Sequence, residues 1–181
     1  MNKKGFTLIE LLATIIILSI IMIIAVPNVM SVIDKNKQAT YVADAKKMIT
    51  LTEYKLRKNT SINYPSATGK SIAIKLSALD LTDFNDAPEG GEYDSTNSYV
   101  LIVRKDDDTT NQITYDYYVT IIEKYGQNSD KTKGIYLASK EELENEDAKK
   151  LVTTNITLDN IAKGSLTTEK LSTDIENVID S

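Results

Sequence analysis

One carboxylate stands at the start of the longest apolar segment of this 181-residue chain. Glu10 is the only charged residue between Phe6 and Val26, and the 16 residues that follow it, Leu11–Val26, carry no charge. A bilayer core needs roughly 20 residues of helix, so this segment is long enough to span a membrane. An ionisable group in such a segment usually has a function. Glu10 is therefore the first candidate for chemistry.

The amino-acid composition excludes much of the chemistry that the rest of the chain could perform. Histidine and cysteine are absent, which removes most metal-ligand sets, Cys/His nucleophiles and the Ser-His-Asp arrangement. The net charge is -5, and loss of Lys3 and Lys4 would change it to -7. An acidic chain does not suggest a nucleic-acid-binding surface. We expect a protein that is not an enzyme, has no cofactor and does not bind nucleic acid.

The position of Gly5 distinguishes the N-terminal segment from an ordinary signal peptide. A secretory signal peptide places its small-residue cleavage site after the apolar stretch, whereas Gly5 precedes that stretch. Cleavage at Gly5 would remove a short basic leader and leave the apolar segment on the mature protein. The segment is then a membrane anchor that is retained. An uncleaved signal anchor is the alternative.

Residues Lys3–Pro27 closely resemble the head of the type IV pilin and pseudopilin family. The shared features are a short basic leader, Gly5, Phe6, a Thr-Leu-Ile-Glu sequence that ends at Glu10, and a long apolar helix interrupted by Pro27. This resemblance covers 25 residues and is specific, because residue identity and spacing agree at several positions together. Farther along the chain the family varies too much for a resemblance to carry weight.

The resemblance implies cleavage after Gly5 by a membrane prepilin peptidase and N-methylation of Phe6, the new first residue. It divides the chain into a leader of residues 1–5, a transmembrane and assembly helix of residues 6–30 and a globular pilin domain of residues 31–181. The implied partners are copies of this chain, other pilins, the inner-membrane assembly platform and its ATPase. The precursor would be a single-pass membrane protein, and the product an extracellular pilus on the bacterial surface.

Cleavage after Gly5 gives Glu10 a physical role in the assembly that the resemblance implies. The new amine on Phe6 would lie four residues before Glu10, a spacing that places two groups on one helical face. A carboxylate near a helix N-terminus is also favoured by the helix dipole. In a bundle, the amine could equally meet Glu10 of a neighbouring chain and set the axial register. The alternative is a solvated Glu10 at the level of the lipid headgroups.

Pro27 lies inside the predicted helix and has two interpretations. Proline lacks a backbone donor and clashes with the preceding turn, so it should kink or loosen the helix there. A plain helix boundary is the alternative. Many family members carry a glycine about two turns before this proline, where the present chain has Ser19, so the resemblance does not predict how far the helix loosens on assembly.

Beyond Pro27, apolar residues recur at three-, four- and seven-residue steps, which predicts that the helix continues. We expect one helix of about 50 residues that ends before Asn59–Ser61, with its second half packed on the domain. The recurring residues are Val32, Ala39, Val42, Ala45, Ile49 and Leu56.

The rest of the chain predicts an α+β fold. Tyr99–Lys105 and Ile113–Lys124 are rich in β-branched and aromatic residues and predict two strands joined by a polar turn. Gly134–Ala138 predicts a third strand, and Asp86–Ser98 predicts a loop. We expect an antiparallel sheet of about three strands against the apolar stripe of the helix.

Three further segments are predicted to be helical. Ala73–Leu79 favours a helical turn, although a short strand is the alternative. Ser139 and Glu142 have the spacing of a capping box that opens a charged helix. A final amphipathic helix is predicted from the helical spacing of Leu171, Ile175, Val178 and Ile179.

Two acidic stretches are candidate calcium ligands, since some pseudopilins use calcium. Neither has the ligand spacing and glycine of an EF-hand loop, and a solvated hairpin tip is the favoured interpretation of the first stretch. We therefore predict no metal site. The weak candidates are Asp106, Asp107 and Asp108, with Glu89, Glu92 and Asp94 as the second stretch.

Tyrosines on the predicted strands are candidates for a conduit or an adhesive patch. Tyr99, Tyr115 and Tyr117 fall on faces of the predicted sheet. Packing or rim positions are the favoured interpretation for all three, because half-buried sheet surfaces commonly carry aromatic residues.

These observations lead to one favoured function and two alternatives. The favoured function is a structural subunit of a type IV pilus-like surface filament for adhesion, surface motility or biofilm formation. The first alternative is a pseudopilin of a secretion or DNA-uptake machine. The second is a signal-anchored surface enzyme, which is disfavoured because the sequence offers no catalytic constellation.

Overall fold

The computed structural model describes residues 7–79, 81–84, 86–107, 109–110, 112–127, 130–158, 161 and 164–180. The chain divides into two compact units, a first unit up to Asn36 and a second from Lys37.

A single helix, α1, runs over Leu8–Lys58 and has 51 residues. This confirms the predicted length and the end before Asn59. Basic residues in the last turn of α1 complement the negative end of the helix dipole. Within the second unit, one stripe of α1 is buried, and the apolar repeat predicted four of its positions, Val42, Ala45, Ile49 and Leu56. Two other predicted positions are not buried, because Val32 lies in the exposed first unit and Ala39 is only half-buried. The buried residues of α1 are Tyr41, Val42, Ala45, Met48, Ile49, Thr52 and Leu56.

In the described part of the chain, eight strands form one sheet. The strands are β1 Lys70–Lys75, β2 Glu92–Tyr93, β3 Tyr99–Asp107, β4 Gln112–Tyr125, β5 Lys131–Ser139, β6 Val152–Thr154, β7 Gly164–Thr167 and β8 Ser172–Ile179. Their order in the sheet is β6-β5-β4-β3-β1-β8-β7, and β2 pairs with β4. The pairing is antiparallel except between β1 and β8, which run parallel. The α+β prediction is confirmed, but the sheet has more strands than the three expected.

The sheet buries side chains on both faces, because successive strand residues point to opposite sides. On β3, Val100 and Ile102 join the core that contains the buried stripe of α1. Tyr99 and Leu101 join a second core on the other face, where Ile161 and Leu166 from the C-terminal part of the chain cover the sheet. The second unit therefore has a helix on one face and C-terminal segments on the other.

A bulge in β5 determines which side chains of this strand lie in each of the two cores. The register between β4 and β5 shifts between Val119 and Ile121, and Leu137 adopts a positive φ of 45°. The N–H of Leu137 donates to Oγ1 of Thr120 at 3.1 Å. As a result, Ile135 and Ala138 both pack with α1 while Leu137 packs in the second core.

The predicted C-terminal helix is wrong. Residues Ser172–Ile179 form strand β8, which lies between β1 and β7. Thr173 and Ile175 are buried at alternate positions, so period two describes this segment better than the helical period. Parallel pairing with β1, which aligns Lys70 with Asp174, joins segments that are far apart in sequence. Local sequence pattern could not anticipate that pairing.

The other predicted helical segments are confirmed in part. Residues predicted as a helical turn at Ala73–Leu79 form the end of β1 and then a 3-10 turn at Leu76–Ala78. The capping box is confirmed, because Ser139 accepts from the N–H of Glu142 and the Glu142 side chain accepts from the N–H of Ser139. Helix α2 is nevertheless short. It spans Lys140–Glu144, and a 3-10 turn follows at Ala148–Leu151.

The three predicted strands correspond to β3, β4 and β5. Each observed strand is longer than predicted, and β4 extends over 14 residues. The segment predicted as a loop, Asp86–Ser98, is irregular except for the two-residue strand β2.

Candidate functional site

The first unit presents an apolar surface along its described length. Every residue from Thr7 to Asn36 is exposed, and Leu8 and Ile23 expose 84% and 74% of their surfaces. Helix α1 is long and apolar enough to cross a membrane, and none of its most apolar stretch is buried within the structure. Because apolar surface in water costs roughly 25 cal/mol per Å², these side chains require a non-aqueous environment.

Glu10 and Thr7 cap the start of α1. The N–H and the hydroxyl of Thr7 donate to Oε2 of Glu10 at 2.9 and 2.7 Å, and the N–H of Glu10 lies 3.4 Å from Oγ1 of Thr7. Thr7 is therefore the N-cap, and Glu10 returns the bond from the third helical position. Sequence analysis missed this role, although Thr-Leu-Ile-Glu has the same capping-box spacing as Ser139 and Glu142.

The predicted cleavage site lies between Gly5 and Phe6. Gly5 and Phe6 lie outside the described residues, so cleavage after Gly5 and methylation of Phe6 stay predictions. The structure places Glu10 within the first turn of α1. The predicted pairing of Glu10 with a Phe6 amine also stays a prediction.

Helix α1 continues through Pro27, so a helix boundary at this residue is wrong. The Nδ2 of Asn28 donates to the carbonyl of Ile24 at 3.0 Å, within the turn that contains the proline. About two turns upstream of Pro27, the hydroxyl of Ser19 donates to the carbonyl of Ile15 at 2.7 Å. These local bonds to the backbone satisfy polar side chains in an apolar helix. The predicted kink at Pro27 stays a prediction.

Three of the weak calcium candidates, Glu89, Asp94 and Asp106, are paired with basic side chains. Asp106 accepts from Nε of Arg104 at 2.8 Å, and Asp94 pairs with Nζ of Lys124 at 2.6 Å. Among the described residues, no three side chains of the types that ligate metals converge on one position. Asp108 and the side chain of Asp107 lie outside the described residues.

The candidate tyrosines occupy different environments on the sheet. Tyr99 is buried in the second core. Tyr115 is half-buried and contacts Tyr64, with 4.6 Å between the ring centroids. Tyr117 is also half-buried, against the core that contains α1. The structure therefore brings Tyr115 and Tyr117 onto one face and places Tyr99 on the other.

Sequence analysis missed a buried carboxylate, Glu123, which holds the loop of residues 86–94 in place. The N–H of Gly91 donates to its Oε1 at 2.8 Å, and the N–H of Glu89 lies 3.1 and 3.0 Å from its two oxygens. The hydroxyl of Tyr41 on α1 donates to the same carboxylate. A buried carboxylate is stable only with such partners. Strand alternation gives a signal for Glu123, because it falls on the same face as Ile121.

Glycine is required at position 91 of this 86–94 loop. A side chain there would overlap the carbonyl of Lys124 and press on the carboxylate of Glu123. The absence of a Cβ lets the N–H of Gly91 approach that carboxylate.

Two further carboxylates tie the 86–94 loop to its neighbours. Glu89 pairs with Lys37 at 2.6 Å and with Lys133. Burial alone would raise the pKa of Glu89, but these two lysines outweigh it and hold that pKa below its ordinary value. Asp44 on α1 accepts from the hydroxyl of Tyr93 at 2.6 Å, and burial raises the pKa of Asp44 despite that bond. Burial and the facing carboxylates likewise raise the pKa of both phenols, Tyr41 and Tyr93.

Comparison with known proteins gives a match at the start of the chain. Residues 1–26 match the family model of the prokaryotic N-terminal methylation motif. The chain carries the prepilin signature of type IV pilins and pseudopilins. That family is structural and not enzymatic. The signature implies processing by prepilin peptidase and assembly with other pilins, and together with the apolar helix it fits a membrane-anchored precursor.

The prepilin signature ends at Val26, so it does not cover the second unit. The chain matches no curated protein and no solved structure. What residues 37–181 do must therefore be argued from their own contacts.

Proposed function

We propose that this protein is a structural subunit of a type IV pilus-like surface filament, cleaved after Gly5 and polymerised through the apolar half of α1. The observation that supports this function is the exposed, uncharged helix between Leu11 and Val26, headed by the prepilin signature and by Glu10. In the precursor, lipid covers this helix. In the fibre, the same helices from neighbouring subunits replace the lipid.

The exchange of lipid for protein gains little from the hydrophobic effect, because lipid tails are as apolar as the neighbouring helices. The stability and the register of the assembly must therefore come from side-chain packing and from polar contacts within the bundle. Glu10 is the only charged residue of the apolar segment after processing, apart from the new amine on Phe6. This pair of opposite charges is the strongest candidate for the contact that sets the register.

The capping box positions Glu10 for this contact. Both bonds from Thr7 go to Oε2 of Glu10. An ionised carboxylate offers about four lone-pair sites, so Glu10 can cap its own helix and still accept from the Phe6 amine of a neighbouring subunit. Thr7 acts here as a positioning residue that keeps the carboxylate at the start of α1.

The second unit would lie on the outside of the fibre and display its sheet and loops. We assign it the adhesion, surface motility or biofilm function of the filament. The assembly platform and its ATPase are the partners that this proposal requires in the inner membrane. The finished filament is expected outside the cell.

The proposed function is tested by shearing fibres from cells that express this chain with its assembly components. Electron microscopy should show filaments, and mass spectrometry of the filament protein should find methylated Phe6 as its first residue. A methylated protein without surface filaments would favour a pseudopilin. An intact Met1 would show a plain signal anchor and contradict the proposal.

A further inference from the structure

Strand β4 has an edge that no described strand covers. On one side, β4 pairs with β3 over the whole stretch from Gln112 to Thr120. On the other side, pairing with β5 begins only at Tyr118. The stretch Gln112–Tyr117 therefore has a described strand on one side alone, although strands need pairing on both sides to satisfy all their backbone groups.

The capping box at Ser139 explains why this edge is open. Residue Ser139 pairs with Tyr118 as the last residue of β5, and the chain then turns into α2 instead of continuing along β4. A cleft of about 450 Å³ lies at this point, and its lining includes Tyr115–Tyr118 and Ser139–Glu141. The cleft marks the position that a longer β5 would have occupied.

The stretch Gln112–Tyr117 itself carries few of the features that usually prevent strand addition, although Lys140 and Glu141 of α2 line the cleft beside it. The stretch contains no proline, and Ile113 exposes 53% of its surface. Its one carboxylate, Asp116, is paired with Nζ of Lys105 at 2.7 Å, so it presents little free charge to a second strand. Proteins normally protect an edge with unpaired charge, proline or a covering segment.

We propose that Ile113–Tyr117 pairs antiparallel with the same stretch of a second copy of this chain, about a two-fold axis at Tyr115. The stretch is symmetric about that residue, so the two copies can pair along its whole length. Ile113 then faces Tyr117 of the other copy, and the two Tyr115 side chains face each other. The polar Thr114 faces Asp116.

The residues that would face each other indicate that a second copy of this chain is the partner of the open edge. In this register, apolar side chains oppose apolar ones on one face, and a hydroxyl opposes a carboxylate on the other, while no like charges are directly opposite. Cross-strand pairs of these kinds stabilise sheets. The contact would join two subunits side by side, in the membrane or between neighbouring filaments. It does not depend on the proposed function of α1.

The absence of cysteine from the chain allows a clean cross-linking test. Full-length Tyr115→Cys is expressed without other pilin components, and membranes are treated with a mild oxidant. Facing residues have Cβ atoms about 4.5–5.5 Å apart, near the separation that a disulfide bridges. We expect a disulfide-linked dimer at a yield roughly tenfold above that of Thr114→Cys, whose own counterpart lies diagonally across.

A mixture of variants tests the register without altering Tyr115. Ile113→Cys and Tyr117→Cys should cross-link when the two are co-expressed and remain monomeric when each is expressed alone. Tyr54→Cys, on an exposed face of α1, controls for random collision. The proposal is overturned if the mixture does not cross-link, if Tyr54→Cys cross-links equally well, or if the disulfide joins a different protein.

Discussion

The two units of this chain differ in whether they bury their own apolar side chains. From Thr7 to Asn36 every residue is exposed, and polar side chains such as Thr14 and Ser19 bond only to the backbone of their own helix. From Lys37 onward, apolar side chains fill a core on each face of the sheet. The apolar side chains of the first unit therefore need lipid or other subunits to cover them, whereas those of the second unit are buried within the unit itself.

This difference implies that changes in the first unit should affect processing and assembly, whereas changes in the second should affect stability. Four principal replacements, two of them with matched variants, test that division, beginning with the one expected to have the largest effect.

Replacement Gly5→Val should abolish production of the mature protein. The peptidase must approach the backbone closely, and a β-branched side chain at the cleavage site would prevent this. Immunoblots of membranes should show only the full-length precursor, with the second unit folded as in wild type. Mature protein of normal length would show that the chain is cut elsewhere.

Replacement Glu10→Val should leave cleavage and membrane insertion intact but prevent assembly. Removing one partner of a buried charge pair typically costs roughly 3 to 5 kcal/mol, and this cost would recur at each subunit contact. The measurement is the ratio of sheared fibre to mature subunit in membranes, with the variant as the sole copy.

Two matched variants sharpen this test. Glu10→Asp keeps the charge with a shorter reach and should be intermediate. Thr7→Val removes the hydroxyl of the cap but leaves Glu10, so its effect should be smaller, of the order of 1 kcal/mol. Wild-type fibre yield from Glu10→Val would contradict the assigned role of Glu10.

Replacement Glu123→Leu should destabilise the second unit without affecting processing. It leaves the N–H groups of Glu89 and Gly91 and the hydroxyl of Tyr41 without their acceptor, at a cost of about 3 kcal/mol or more. We expect the chain from Asp34 onward to be soluble and folded, since the core lies within residues 37–181, and its chemical denaturation measures the loss.

The exposed carboxylate of Glu92 supplies the control for Glu123. Glu92→Leu should change the free energy of unfolding by less than about 0.5 kcal/mol, as surface substitutions usually do. Equal stability of wild type and Glu123→Leu would show that the 86–94 loop does not depend on this carboxylate.

Acid should weaken the ion pairs of Glu89. Because Lys133 and Lys37 hold its folded pKa below the ordinary value of 4.5, Glu89 contributes stability above that pH. This contribution is lost as the pH falls below 4.5 and through the folded pKa. Glu89→Gln should therefore be less stable than wild type near neutral pH, and the difference should shrink in acid. Thermal unfolding across this range measures it, and a difference that grows in acid would contradict the assignment.

Local pattern was sufficient wherever the determining interactions are close in sequence. The apolar repeat predicted α1 almost to its last residue, because each buried position of a helix follows the previous one by three or four residues. Tyr99–Lys105 and Ile113–Lys124 predicted β3 and β4, which are joined by a short turn. Residues Gly5 to Glu10 predicted the prepilin signature, because its side-chain identities and spacing are themselves the signal.

Local pattern failed where the partners are distant. Ile175, Val178 and Ile179 fit a helical spacing, yet parallel pairing with β1 makes them part of a strand. Leu137 should share a face with Ile135 by strict alternation, but a bulge turns it to the other core. Neither outcome is encoded by the neighbouring residues alone.

The sequence by itself determined the apolar helix, its signature and the exclusion of His- or Cys-based chemistry, since these depend on residue type and short spacing. Only the tertiary structure showed that Glu123 gathers the 86–94 loop against α1 and that β5 turns away to leave the edge of β4 open. Both depend on which segments meet across long stretches of chain. The free energy of such pairing comes from the whole packed unit, so no single segment carries it in its own sequence.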